Sequence, residues 1–168
     1  VRVCRYGDPK GRPVVAVGDS HMVHWLPALS AIARERGIDL HAITKTGCAL
    51  MTLQESEVDT PERRSCAVWN AAAMRYIADL KPKAMIVANS SGATHMLGPS
   101  PDKEARVAER MARSWKQARE QAGVVDILAF RETPRMREDP PECIRLNKGD
   151  GAACSYPQSG AVGGSLVE

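Results

Sequence analysis

At 168 residues and 18.2 kDa the chain has the length of one globular domain with a real core. Hydrophobic residues at 43% and charged residues at 26% exclude a disordered chain, and no run reaches the roughly 18 consecutive apolar residues of a membrane span. The net charge of +3 is slight and mixed in sign, so Glu62-Arg63-Arg64 and residues 132–138 read as solvated faces and no nucleic-acid partner is expected. The chain begins without a recognisable signal peptide, as a domain cut from something larger would.

In chain order, residues 14–17 (Val-Val-Ala-Val) form a buried strand that runs into Gly18-Asp19-Ser20-His21. Taken alone, Gly-Asp-Ser is a set of turn formers and a weak motif. Leu26, Leu29, Ile32 and Ala33 recur at helical spacing and end at Arg36-Gly37. Pro27 suits a first turn, which predicts a helix start near Trp25 or Leu26 and leaves residues 20–23 in a turn.

A second strand is predicted at 38–44, followed by a helix over 66–80 with Val68, Ala72, Ile77 and Leu80 inward, stopped by Lys81-Pro82. A third strand at 84–88 precedes a helix over 102–121, with Val107, Met111, Trp115 and Ala118 on one stripe and Gly123 behind it. The last strand spans 124–130; from Arg131 the pattern dissolves, and 133–168 reads as mostly loop. This alternation predicts an α/β fold, a parallel sheet with helices on both faces. Trp25, Trp69 and Trp115 fall on helical stripes and read as core packing, and His41, alternating within a strand, as structural.

The five cysteines contain no Cys-x-x-Cys pair, and the histidines lack zinc spacing, so no metal site is expected. Cys48/Cys66 and Cys143/Cys154 each bracket a loop-like segment. Spacing leaves two readings, disulfides in an oxidising compartment or buried thiols in a reducing one. Cys4 is left over.

In an open parallel sheet, ligands collect at the carboxyl ends of the strands. Three such ends carry chemistry: Gly18-Asp19-Ser20, Thr44-Lys45-Thr46-Gly47 and Asn89-Ser90-Ser91-Gly92. Together they supply the parts for acyl transfer. The Ser20 hydroxyl would attack a carbonyl, while the Ser20 N–H, the Gly47 N–H and the Asn89 amide would form an oxyanion hole.

The run VVAVGDSHMVHWLPAL, with KTGC and the later ETPRM…PPEC…C, resembles the SGNH hydrolase superfamily over nearly the whole chain, from Cys4 to about Cys154. More narrowly it resembles the extracytoplasmic SGNH domains fused to the C-terminus of acyltransferase-3 membrane proteins, which O-acylate cell-surface glycans. The resemblance implies a three-layer α/β/α sandwich with a central parallel sheet and flavodoxin-like topology. It makes Ser20 the nucleophile, Gly47 the second oxyanion donor and Asn89 the third, and sets Asp19 and His21 at the substrate pocket. It implies disulfides Cys48–Cys66 and Cys143–Cys154, an extracytoplasmic location, a membrane acyltransferase-3 domain of the same parent protein as partner, a glycan acceptor, and no metal or organic cofactor.

Two features depart from the family pattern. The Gly-x-Asn-Asp block is absent as such, and Asn89 is placed only by following the strand at 84–88. The family takes its base from an Asp-x-x-His block near the C-terminus, yet no histidine follows His95. The favoured expectation is that residues 1–168 form a single domain lacking that segment. A degenerate site, or recruitment of His24 or His95 as base, are the alternatives; His24 would share the face of Ser20 only if the turn were helical. Function is therefore read as O-acyl transfer, of acetyl, with a glycan esterase as nearest rival and a non-catalytic glycan-binding or docking module as the rival from another class.

Overall fold

The computed structural model describes residues 1–130 and 139–155. In chain order the elements are β1 (Cys4–Gly7), β2 (Arg12–Gly18), α1 (Ser20–Glu35), β3 (Ile38–Thr44), α2 (Pro61–Leu80), β4 (Ala84–Ala88), α3 (Lys103–Ala122), β5 (Asp126–Phe130) and α4 (Pro140–Leu146), with short 3-10 turns at Glu55–Glu57, Ser91–Met96 and Ala152–Cys154. The strands lie in the order β1-β3-β2-β4-β5. Side chains alternate across the sheet. Val15, Val17, Ile43, Met85 and Val87 face the α2 and α3 side, where Ile77, Val107 and Met111 complete the larger core. Val14, Ala16, Leu40 and Ala88 face α1, which adds Met22, Leu29 and Ala33. The result is the expected α/β/α sandwich.

Several local expectations are corrected. The sheet is parallel only from β3 through β5, because β1 adds an antiparallel edge against β3. Cys-Arg-Tyr-Gly shows no apolar alternation; pairing with β3 and the Arg5 ion pair to Asp39 at 2.7 Å hold it there. Helix α1 starts at Ser20 rather than near Trp25, because Asp19 caps it and Met22 buries its first turn. Pro27 sits inside this helix on an exposed face, and the expected inward Ile32 is 49% exposed.

Helix α2 begins earlier than expected, at Pro61, behind an N-cap Thr60 whose hydroxyl accepts from the Arg63 N–H. Its buried stripe is Cys66, Trp69, Asn70, Ala73, Met74 and Ile77, while Val68 is 72% exposed and Ala72 only half-buried. Asn70 explains the rotation: its amide accepts from the Met51 N–H and donates to the Ala49 carbonyl, turning this face toward residues 49–51. A further correction is α4, a helix where loop was expected, opened by Pro140 in its first turn. The ETPRM residues 132–136 and everything after 155 lie outside the described residues.

Helix α3 carries the expected stripe, with Trp115 half-buried, and Trp25 packs on Phe130 with ring centroids 4.4 Å apart. Both disulfides form, Cys48–Cys66 and Cys143–Cys154, and Cys4 is exposed and unbridged. Without reductant, Cys4 alone should therefore react with iodoacetamide. Replacing Cys48 and Cys66 together by Ala should lower unfolding stability by about 2–4 kcal/mol in denaturant titration.

A polar network pins the β1 edge. His41 is buried, with Nδ1 2.6 Å from the Tyr76 hydroxyl and Nε2 2.8 Å from Asp39 Oδ2, and Arg5 donates to both Asp39 oxygens. Burial pushes the Asp39 carboxyl up, but the bonds from Arg5 and His41 outweigh it and hold Asp39 below its ordinary 3.8. A depressed carboxyl stabilises the fold above its unfolded value, and the contribution is lost as pH falls through the folded value. Asp39→Asn should accordingly be less stable than wild type at neutral pH, with the gap closing as unfolding is followed below pH 3.8; a gap independent of pH would contradict this account.

Candidate active site

Strand β2 leads into α1 on one face of the sheet, whereas β4 leads toward α3 on the other. The crevice between two strands whose connections diverge is where open α/β sheets bind ligands. Register brings three strand ends level, since Gly18 pairs with Thr44 on one side and Ala88 on the other. Gly18 is required: a Cβ there would overlap the Ala88 carbonyl oxygen. Ser20, the turn after Thr44, and Asn89 thus leave the same edge of the sheet.

Asp19 ties two of these ends together. It is 3% exposed, and its Oδ1 accepts from the His21 N–H at 2.8 Å while Oδ2 accepts from the Ser90 N–H at 2.8 Å. The carboxylate therefore caps α1 and clamps the residue after Asn89. Ser20, half-buried, occupies the first position of α1, where backbone N–H groups have no partner within the helix. Its N–H has no acceptor among the described residues.

Gly47 is the third residue of a turn closed by the Cys48 N–H on the Lys45 carbonyl at 3.0 Å. With φ +71 at Gly47 and Thr46 outside the left-handed region, the turn is type II, which favours glycine at that position. The Lys45 N–H donates to the Gly18 carbonyl at 3.2 Å, anchoring the turn to β2, and the Gly47 N–H has no acceptor among the described residues. Asn89 Oδ1 accepts from the Leu50 N–H at 3.3 Å, which orients the amide; its Nδ2 is buried without a partner among the described residues. Three donors at one edge are therefore uncommitted, and those three are the Ser20 N–H, the Gly47 N–H and the Asn89 amide. Of the three, Asn89 Nδ2 is the buried one, and a buried donor left unmade is expensive unless a ligand uses it.

The histidines divide. His21 is half-buried on the first turn of α1, its ring 5.5 Å from that of exposed His24. Because α1 starts at Ser20, His24 lies one helical turn beyond Ser20 on the same side. His95 holds the Gly47 carbonyl, with Nε2 at 2.9 Å. His41 pairs with Val15 in mid-strand, away from the strand ends. A cleft of about 480 Å³ adjoins the Gly47 turn, lined by Lys45, Thr46, Ser65, Arg63 and His95 among others. Among the described residues no group of three or more His, Cys, Asp or Glu is placed to hold a metal. Sequence reasoning missed the positioning done by the Leu50 and Ser90 N–H groups, because backbone donors leave no mark in residue type.

These features define a class: an α/β/α sandwich with a serine at its switch point and three N–H donors beside it that have no acceptor among the described residues. The family model for the SGNH domain fused to AT3 domains matches residues 1–161, and the chain belongs to that family. Among solved structures, the periplasmic domain of the lipopolysaccharide acetyltransferase of Salmonella ser. Paratyphi A has a similar fold, with a TM-score of 0.67 at 14% identity. The match covers 87% of this chain and 54% of that one, so this chain spans about half its length. No curated protein matches.

Asp19→Ala removes a helix cap and the carboxylate bond to the Ser90 N–H. It should cost about 2–4 kcal/mol of unfolding stability by denaturant titration, and a loss below about 0.5 kcal/mol would contradict the clamp.

Proposed function

We propose that this domain is an extracytoplasmic O-acyltransferase module that carries an acyl group, acetyl, on Ser20 and passes it to a glycan hydroxyl. The observation that carries the reading is the set of three uncommitted donors, the Ser20 N–H, the Gly47 N–H and Asn89 Nδ2, level at the strand ends beside the serine. Membership of the SGNH family supports it, as does the lipopolysaccharide acetyltransferase activity named for the structurally similar protein. The two disulfides support an oxidising compartment.

The Ser20 hydroxyl attacks the carbonyl carbon of the acyl donor and gives its proton to a base. The carbonyl oxygen becomes an oxyanion stabilised by the three donors, and the tetrahedral intermediate collapses to acyl-Ser20 with the leaving group protonated. A glycan hydroxyl then attacks the ester, loses its proton to the same base, and the collapse restores the serine. The base follows the family pattern, a histidine oriented by an acidic partner, and the acyl group is delivered by an acyltransferase-3 membrane domain of the same protein. His21 contacts substrate beside the serine. Asp19 shapes that pocket through the two backbone groups it holds.

In the full-length protein, a fluorophosphonate should label wild type and fail to label Ser20→Ala. An acetyl-ester donor should yield acetylated glycan when acceptor is present and mainly free acetate when it is absent. Equal labelling of the two proteins overturns the nucleophile. Acetate as the sole product with acceptor present makes the domain an esterase, and glycan binding without turnover makes it a binding module.

A further inference from the structure

We infer that His95 is a positioning residue of the oxyanion hole, holding the Gly47 turn through its Nε2–H; this rests on the acyl-transfer reading of Ser20. The Gly47 carbonyl oxygen can only accept, so the ring nitrogen 2.9 Å from it carries the hydrogen, whether the imidazole is neutral or protonated. That nitrogen acts as a donor to the backbone and is unsuited to take a proton from the serine.

The turn needs such a hold. Gly47 presents one oxyanion donor from the central peptide of a type II turn, and glycine lacks the side chain that would restrict it. The first half of the turn is anchored by the Lys45 N–H on Gly18. The second half is fixed by His95, which stands in the Ser91–Met96 segment directly after Asn89 and Ser90. His95 thus ties the Gly47 donor to the segment that carries the Asn89 donor, and sets the spacing between them.

The histidine is itself anchored. The Arg63 guanidinium donates from α2 to the His95 carbonyl at 3.4 Å and the Leu97 carbonyl at 2.9 Å, and is braced by Asp59 at 2.6 Å. The neighbouring Ala49 N–H meets Met96 Sδ at 3.1 Å, and Cys48 is bridged to Cys66. The interaction is therefore built from both sides.

A hole displaced by a fraction of an ångström loses transition-state stabilisation more than substrate binding. In the full-length protein, with an acetyl-ester donor, His95→Ala should lower kcat about tenfold with KM within about twofold. His95→Gln, whose amide also offers an N–H, should restore most of the rate, which a general base could not do. In wild type, the ring nitrogen shifts of His95 by NMR should show Nε2 bearing the hydrogen, a readout that stands even if His95→Ala does not fold.

Wild-type kcat in His95→Ala, a His95→Gln variant as slow as His95→Ala, or an Nε2 without hydrogen would each overturn the role. Ser20→Ala separates the levels. Turnover that survives it overturns the acyl-transfer reading and this inference together. An inactive Ser20→Ala beside a fully active His95→Ala overturns the His95 role alone.

Discussion

Everything at the switch point depends on how closely β2 and β4 approach at their ends, and that approach depends on a missing atom. At Gly18 no Cβ stands between the strand and the Ala88 carbonyl. With the strands this close, the next residue, Asp19, reaches across to the Ser90 N–H while capping α1. One carboxylate thereby sets both the start of the helix that carries Ser20 and the path of the chain leaving Asn89. A buried carboxylate is tolerable there because each oxygen receives a backbone hydrogen bond at a helix N-terminus.

A second set of ties suspends the turn after β3. Lys45 anchors it to β2, Leu50 to Asn89, Ala49 to Met96, and the Cys48–Cys66 bridge to α2. The donors of the candidate hole therefore belong to three chain segments braced against one another. Preorganised donors of this kind need little rearrangement when charge develops on a reacting oxygen. The opposite edge of the sheet uses a different device: Arg5, Asp39, His41 and Tyr76 form a polar chain that secures a short antiparallel strand.

Much of this is legible in the sequence. The strands at 38–44 and 84–88 have the bounds read from their apolar runs, and both disulfide pairs follow the loop-bracketing cysteines. Each failure has a physical cause that the apolar pattern does not carry. Pro27 marked a helix start by its own preference, yet the Asp19 cap and buried Met22 begin the helix earlier. Val68 lay on the apolar stripe, but the bonds of Asn70 and the Cys66 bridge turn that stripe outward. Cys-Arg-Tyr-Gly carried no strand pattern at all, and pairing with β3 supplies what propensity lacks.

The sequence by itself determined the layered α/β architecture and the serine at a strand end, and it brought out Gly47 and Asn89 as candidates at the neighbouring ends. Periodicity and turn chemistry act between near neighbours and are written in residue type. Only the tertiary structure decided that the Ser20, Gly47 and Asn89 donors have no acceptor among the described residues, that Asp19 spends both oxygens on the backbone, and that His95 grips Gly47. These facts concern hydrogen bonds between segments dozens of residues apart, made largely by backbone groups that every residue type shares.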